Sequence, residues 1–198
     1  MISKHIFLPL TLLALPGPLA AHPHLWLVAS AGYRVEAGRV VAVEVTLRFD
    51  ELSSASLSTD FDRDRDRRFD AAETAELERE AFASLAELDW PSHLRVDGRP
   101  AGLRPPIGFR AEIEGDLVTF RFARPLEVPF DPREGALALT LVDPGWYVDI
   151  VLDPEAPADV RGEVPAGCGL SFEPDTSFAG FAGPVPPIAV LLRCERSS

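Results

Sequence analysis

The chain has 198 residues, with 31 acidic against 19 basic side chains and a formal net charge of −12. That balance excludes partners that need a basic face, namely a nucleic-acid backbone or an anionic membrane surface. An acidic surface favours cations instead.

The first 21 residues have the pattern of a secretory leader. Lys4 supplies a basic start, Ile6 to Leu15 is mostly apolar, Pro16-Gly17-Pro18 breaks the run, and Leu19-Ala20-Ala21 offers a cleavage site. The apolar run is much shorter than the roughly 20 residues of a spanning helix. The expectation is therefore a periplasmic protein, not itself membrane-spanning, with a signal peptide over 1–21 and one domain over 22–198. Cleavage removes Lys4, the only lysine, and leaves 18 arginines against 31 acidic residues, a charge of −13.

Cleavage after Ala21 makes His22 the first residue of His22-Pro23-His24. An α-amine and two imidazoles then lie within three residues. Such nitrogen donors suit copper, nickel, cobalt or zinc. Pro23 has no amide hydrogen to lose, so square-planar binding through deprotonated backbone nitrogens is blocked. What remains is a histidine brace at His22, or two imidazoles joined by ligands from elsewhere. His93 is the candidate third nitrogen.

The mature chain opens with β signals. Leu25 to Glu36 alternates in part and meets a turn at Ala37-Gly38. Val40 to Phe49 alternates cleanly, with Val41, Val43, Val45, Leu47 and Phe49 on one face. This predicts a hairpin that puts His22 and His24 at the free end of the opening strand.

The pattern turns helical over 50–90. Glu51 to Thr59 is a weak helix candidate and Ala71 to Leu88 a strong one, ended by Pro91. Between them, acidic residues stand at positions 1, 3, 5, 9 and 12 of a twelve-residue loop: Asp62, Asp64, Asp66, Asp70 and Glu73. With Phe69 at position 8 and the Arg68 carbonyl at position 7, this is the spacing of an EF-hand calcium loop. Arg67 replaces the usual glycine at position 6, where φ is positive. The competing account is a solvated loop followed by an Asp70/Glu73 capping box.

The remaining strand candidates are Leu94 to Val96, Phe109 to Ile113, Leu117 to Phe122, Leu137 to Val142, Trp146 to Leu152 and Ile188 to Arg193. Residues 153–187 hold seven prolines and five glycines and are expected to be mostly irregular. Cys168 and Cys194 are expected to pair in an oxidising compartment, with a thiolate metal site as the alternative. The fold expected is α+β: one β-rich, sandwich-like domain with a helix-loop-helix, EF-hand-like insertion.

Five segments together carry a family resemblance. They are His22-Pro23-His24-Leu25-Trp26, Leu47-Arg48-Phe49-Asp50-Glu51, the Asp62–Glu73 loop, Arg95-Val96-Asp97-Gly98, and Asp143-Pro144-Gly145-Trp146-Tyr147-Val148-Asp149. The set resembles exported bacterial proteins labelled as the periplasmic component of an ABC-type transport system, often encoded beside nickel/cobalt permeases. The resemblance implies an accessory to transition-metal traffic with an inner-membrane metal permease or ABC transporter as partner. Two other functions fit the residues: a histidine-brace copper redox enzyme, and a calcium-stabilised partner-binding module. No hydrolytic constellation of serine, cysteine or paired carboxylates is evident, and a non-enzymatic role is expected.

Overall fold

A computed structural model describes residues 24–195. The leader and His22 lie outside the described residues.

Two sheets face each other. The first has the order β5-β6-β2-β1-β8, with β9 also paired to β1. Its strands are β1 (Leu25–Glu36), β2 (Arg39–Phe49), β5 (Ile107–Glu114), β6 (Leu117–Phe130), β8 (Val148–Leu152) and β9 (Ala158–Arg161). The second has the order β10-β11-β7-β3-β4. It holds β3 (Ser92–Val96), β4 (Arg99–Ala101), β7 (Leu137–Leu141), β10 (Cys168–Pro174) and β11 (Ile188–Cys194). Inward residues of both sheets form one core that includes Leu27, Tyr33, Val43, Leu47, Phe120, Leu139 and Leu192. The β-rich, sandwich-like reading is therefore correct.

The opening hairpin forms, and its alternation holds from Val43 onward, whereas at the turn end Val40 and Ala42 are buried in place of Val41, at a register shift against β6. Val43, Val45, Leu47 and Phe49 are buried, while Glu44, Thr46 and Arg48 lie toward the other face. Helix α1 (Glu51–Phe61) follows at once because Asp50 caps it, accepting from the Ser53 N–H at 2.9 Å. Ser54, fully buried, fastens α1 to the sheet. Its hydroxyl oxygen accepts the Val118 N–H at 2.9 Å and donates to the Phe49 carbonyl at 3.3 Å.

Three expectations need correction. Residues 71–88 are not one helix: α2 spans Ala71–Glu80, and Phe82–Leu88 is a 3₁₀ segment. Phe82, Leu85 and Leu88 recur every third residue, which is the 3₁₀ period. Phe82 packs on Phe109, Phe120 and Phe122, and this cluster holds the tighter winding. Second, the 153–187 segment is mostly irregular as expected, yet it also contributes two strands that were not expected, β9 and β10. Third, the strand expected over Trp146–Leu152 begins only at Val148. The Asp143 carboxylate collects the N–H groups of Gly145, Tyr147 and Val148 and folds 143–147 into a turn.

Strand β6 also runs on to Phe130 through Pro125 and Pro129. Pro125 stands opposite Ala42, beside a register shift in the β2–β6 ladder, where a missing donor is tolerated. The disulfide forms as expected: Cys168 and Cys194 are register partners in β10 and β11. No helix among the described residues is long and apolar enough to cross a membrane.

Candidate functional site

The loop between α1 and α2 brings three of the expected ligands together. Single carboxylate oxygens of Asp62, Asp64 and Asp66 all lie within 4.8 Å of one another. Asp62 is buried and the other two are exposed. The chain curls around this group in the manner of a nest. The Asp62 carboxylate accepts from Asp66 N at 3.2 Å and Arg67 N at 3.1 Å. Asp64 accepts from Asp66 N at 3.1 Å, and Asp66 from Arg68 N at 2.8 Å. Arg65 and Arg67 both take positive φ, at 61° and 68°. The left-handed arginine expected at position 6 is thus present. Its guanidinium donates to the Gly115 carbonyl and to Asp116, tying the loop to the β5–β6 turn.

Asp70 and Glu73 do something else. Asp70 caps α2 through Ala72 N and Glu73 N, and Glu73 returns a bond to Asp70 N at 2.9 Å, completing a capping box. The other Glu73 oxygen accepts Arg63 N at 2.7 Å. Glu73 is buried, and both oxygens are engaged by backbone donors. In this conformation a cation at the loop meets three aspartates, while Glu73 ties the loop's second residue to the helix.

The histidines separate. His24 is exposed yet anchored: its N–H donates to the Tyr147 carbonyl at 2.8 Å, and its ring lies 4.8 Å from the Tyr147 ring. His93 belongs to β3 in the second sheet. Its Nε2 is 3.2 Å from the Val142 carbonyl, and Phe178 packs edge-on against the ring. Burial pushes its pKa below the ordinary histidine value, which favours the neutral ring as Nε2–H donor to that carbonyl.

Two residues near His24 did not stand out as ligands or contacts in the sequence. Tyr147 contacts it, and Asp149 stands on the same strand two residues on, because β8 pairs in parallel with β1, setting Leu25 against Val148 and Trp26 against Asp149. The signal that was legible is the Asp-Pro-Gly turn, which carries the chain from β7 in the second sheet to β8 in the first. Beside this strand pair lies an open cavity of about 570 Å³, lined by Trp26, Phe49, Leu52, Leu117, Asp149 and Val151 among others.

A protein of Spirochaeta aurantia, described as an uncharacterized 15.5 kDa protein in the trpE 3′ region, is similar to this chain. The two are 26% identical over 128 residues, which cover 65% of this chain and 91% of that protein. The model of the family described as a protein of unknown function, DUF1007, matches residues 7–179, and the chain belongs to that family.

Proposed function

We propose that the protein is an exported, non-enzymatic metal-binding accessory to transition-metal transport or homeostasis, and that its Asp62–Glu73 loop holds calcium. The observation that supports cation binding best is the convergence of Asp62, Asp64 and Asp66 within 4.8 Å. Three carboxylates so close repel one another unless a cation or backbone donors offset them, and a hard oxygen set suits calcium. Glu73 would have to turn out of its capping box to close the shell, and four arginines sit in the same loop, so the site is a weak one. Its role is to clamp the helical insertion.

The transition-metal part rests on His22 and His24, with nickel, cobalt, zinc or copper as the ion and an inner-membrane permease or ABC transporter as the recipient or donor. The anchoring of His24 on Tyr147 supports it, since a pinned imidazole loses less entropy on binding than a frayed one. The redox-enzyme alternative has less support, because the His93 ring is committed to Val142 and Phe178. Titration of calcium, then of nickel, cobalt, zinc and copper, into protein purified from the exported compartment tests the proposal. Absence of any transition-metal binding removes the accessory reading. Calcium binding alone favours a calcium-stabilised partner-binding module.

A further inference from the structure

We propose that Asp149 is the oxygen ligand of the transition-metal site at the start of β1; this rests on the histidine reading given above and names a further member of that site. The argument starts from register. Leu27 and Val148 are buried, so the residues alternating with them, Trp26 on β1 and Tyr147, Asp149 and Val151 along the β8 side, face outward. Trp26, Tyr147 and Val151 are 51%, 60% and 52% exposed, which fixes that face as the solvent side. The bond from His24 N to the Tyr147 carbonyl extends the β1–β8 pairing by one residue, and the His24 ring meets the Tyr147 ring on this same face.

Asp149 is then the diagonal neighbour of His24, one strand across and two residues on. Strand spacing and rise put such a pair roughly 8 Å apart at the backbone. An imidazole and a carboxylate that share one ion, each bonded at about 2 Å, span that gap. Of the other carboxylates nearby, Glu51 opens α1 and is not on the β1–β8 pair, and two are committed. Asp50 accepts from Ser53 N, the Ser53 hydroxyl and Trp26 N, and Asp153 pairs with Arg48 at 3.2 Å. Arg48 is the one basic residue lining the cavity, and its partner is Asp153, not Asp149. Asp149 is half-buried beside Trp26 and Val151 on this face, and among the described residues no ion pair engages its carboxylate. Its oxygens are therefore open to a divalent ion held by His24. One carboxylate with imidazole and amine nitrogens is a donor set for zinc, nickel, cobalt or copper, and it distinguishes this site from the all-oxygen loop.

The test uses protein purified after export. Copper(II) and nickel(II) are titrated while tryptophan emission is followed, with Trp26→Phe identifying the quenched indole, and zinc is titrated by calorimetry. Asp149→Asn should weaken binding by at least roughly tenfold, the loss found even for outer-shell partners of metal ligands, while Asp153→Asn leaves it unchanged. Binding that fails in His24→Ala but survives intact in Asp149→Asn overturns the role of Asp149 and leaves the histidine reading standing. Binding undiminished in both variants overturns both. Should Asp149→Asn fail to fold, the carboxylate carbon resonance of Asp149 in the unsubstituted protein decides: it shifts on saturation with zinc if Asp149 coordinates, and an unmoved resonance overturns the assignment.

Discussion

The hydroxyl of Tyr33 donates to the carbonyl of Val190 at 2.7 Å, joining an inner strand of one sheet, β1, to an inner strand of the other, β11. Tyr33 is fully buried, and burial holds its phenol protonated far above the ordinary tyrosine range. The bond therefore persists at any pH at which the protein folds. Tyr33→Phe keeps the ring and strands the carbonyl's extra lone pair. The expected loss is about 1–2 kcal/mol, read as a lowered urea midpoint with an unchanged slope. An unchanged midpoint would show that the sheets are held by apolar packing alone.

Arg124 should be the least replaceable charged residue in the core. It is 3% exposed and donates to the carbonyls of Asp89, Ser92 and Arg104, to the Ser92 hydroxyl and to the Asp89 carboxylate. It also lies 5.3 Å from the centroid of a Trp90 ring. These bonds brace Asp89 and Trp90, which have positive φ of 52° and 46°. Arg124→Met should cost about 3 kcal/mol, because the buried Ser92 acceptors and the part-buried Asp89 and Arg104 carbonyls lose their donor together. Arg124→Lys should rescue little of it, since an ammonium cannot reach the same acceptors as a planar fork. Thermal unfolding of both variants is the check.

Where the sequence was legible, one local period decided the structure. The β1–β2 hairpin shows in the alternation from Val40 to Phe49, and the aspartate loop shows in the spacing from Asp62 to Glu73. What stayed hidden depends on partners distant in sequence. The 3₁₀ turn at Phe82 is set by Phe109, Phe120 and Phe122, and propensity alone extends α2 through it. Strand β10 lies in a Pro/Gly-rich stretch and exists because β11 pairs with it from Cys168–Cys194 to Pro174–Ile188. Asp149 stands diagonal to His24 only through the parallel β1–β8 register, which no local pattern encodes.

Reduction of Cys168–Cys194 should destabilise the protein without abolishing β10, whose ladder to β11 continues beyond the bridge. The bridge closes a sequence separation of 26 residues, worth roughly 3–4 kcal/mol in the chain-entropy picture. Denaturant curves of Cys168→Ser/Cys194→Ser against the oxidised protein measure this. A difference near zero would mean that the unfolded state is already constrained by other means.

Asp175 should give the fold an acid-sensitive strap. Burial pushes its carboxyl upward, but hydrogen bonds from Ser177 and Thr140 and the charge of Arg95 win and hold it below the ordinary carboxylate value. Below its unfolded pKa the unfolded chain binds the proton more readily than the folded one. The stabilisation is therefore present above about pH 4 and is lost as pH falls through the depressed folded value. Asp175→Asn should flatten the stability profile in that window and loosen the 175–187 segment from β3 and β7, to which Asp175 is tied through Arg95 and Thr140. Stability followed from pH 6 to pH 3 in both proteins tests this. Parallel curves would rule the strap out.

Arg67 should set the affinity of the proposed calcium loop. Its φ of 68° lies in the left-handed region, which costs a non-glycine residue about 1–2 kcal/mol. Its side-chain contacts to Gly115 and Asp116 are exposed and return little. Arg67→Gly should therefore stabilise the loop by about 1 kcal/mol and remove one positive charge from a site made of carboxylates. Calcium binding, expected in the range of about 10⁻⁴ to 10⁻³ M for an extracellular module, should tighten. Asp62→Ala acts in the opposite direction. Asp62 is buried and accepts the N–H groups of Asp66 and Arg67; Asp64 still holds the first, so its loss strands the Arg67 donor, costs about 1 kcal/mol and removes the ligand at the first loop position. Calorimetry with calcium on the three proteins separates the two accounts of the loop. Graded affinity, highest in Arg67→Gly and absent in Asp62→Ala, is the signature of a cation site. Stability changes of the same sign without any calcium heat leave a backbone nest, closed by aspartates and followed by the Asp70–Glu73 cap.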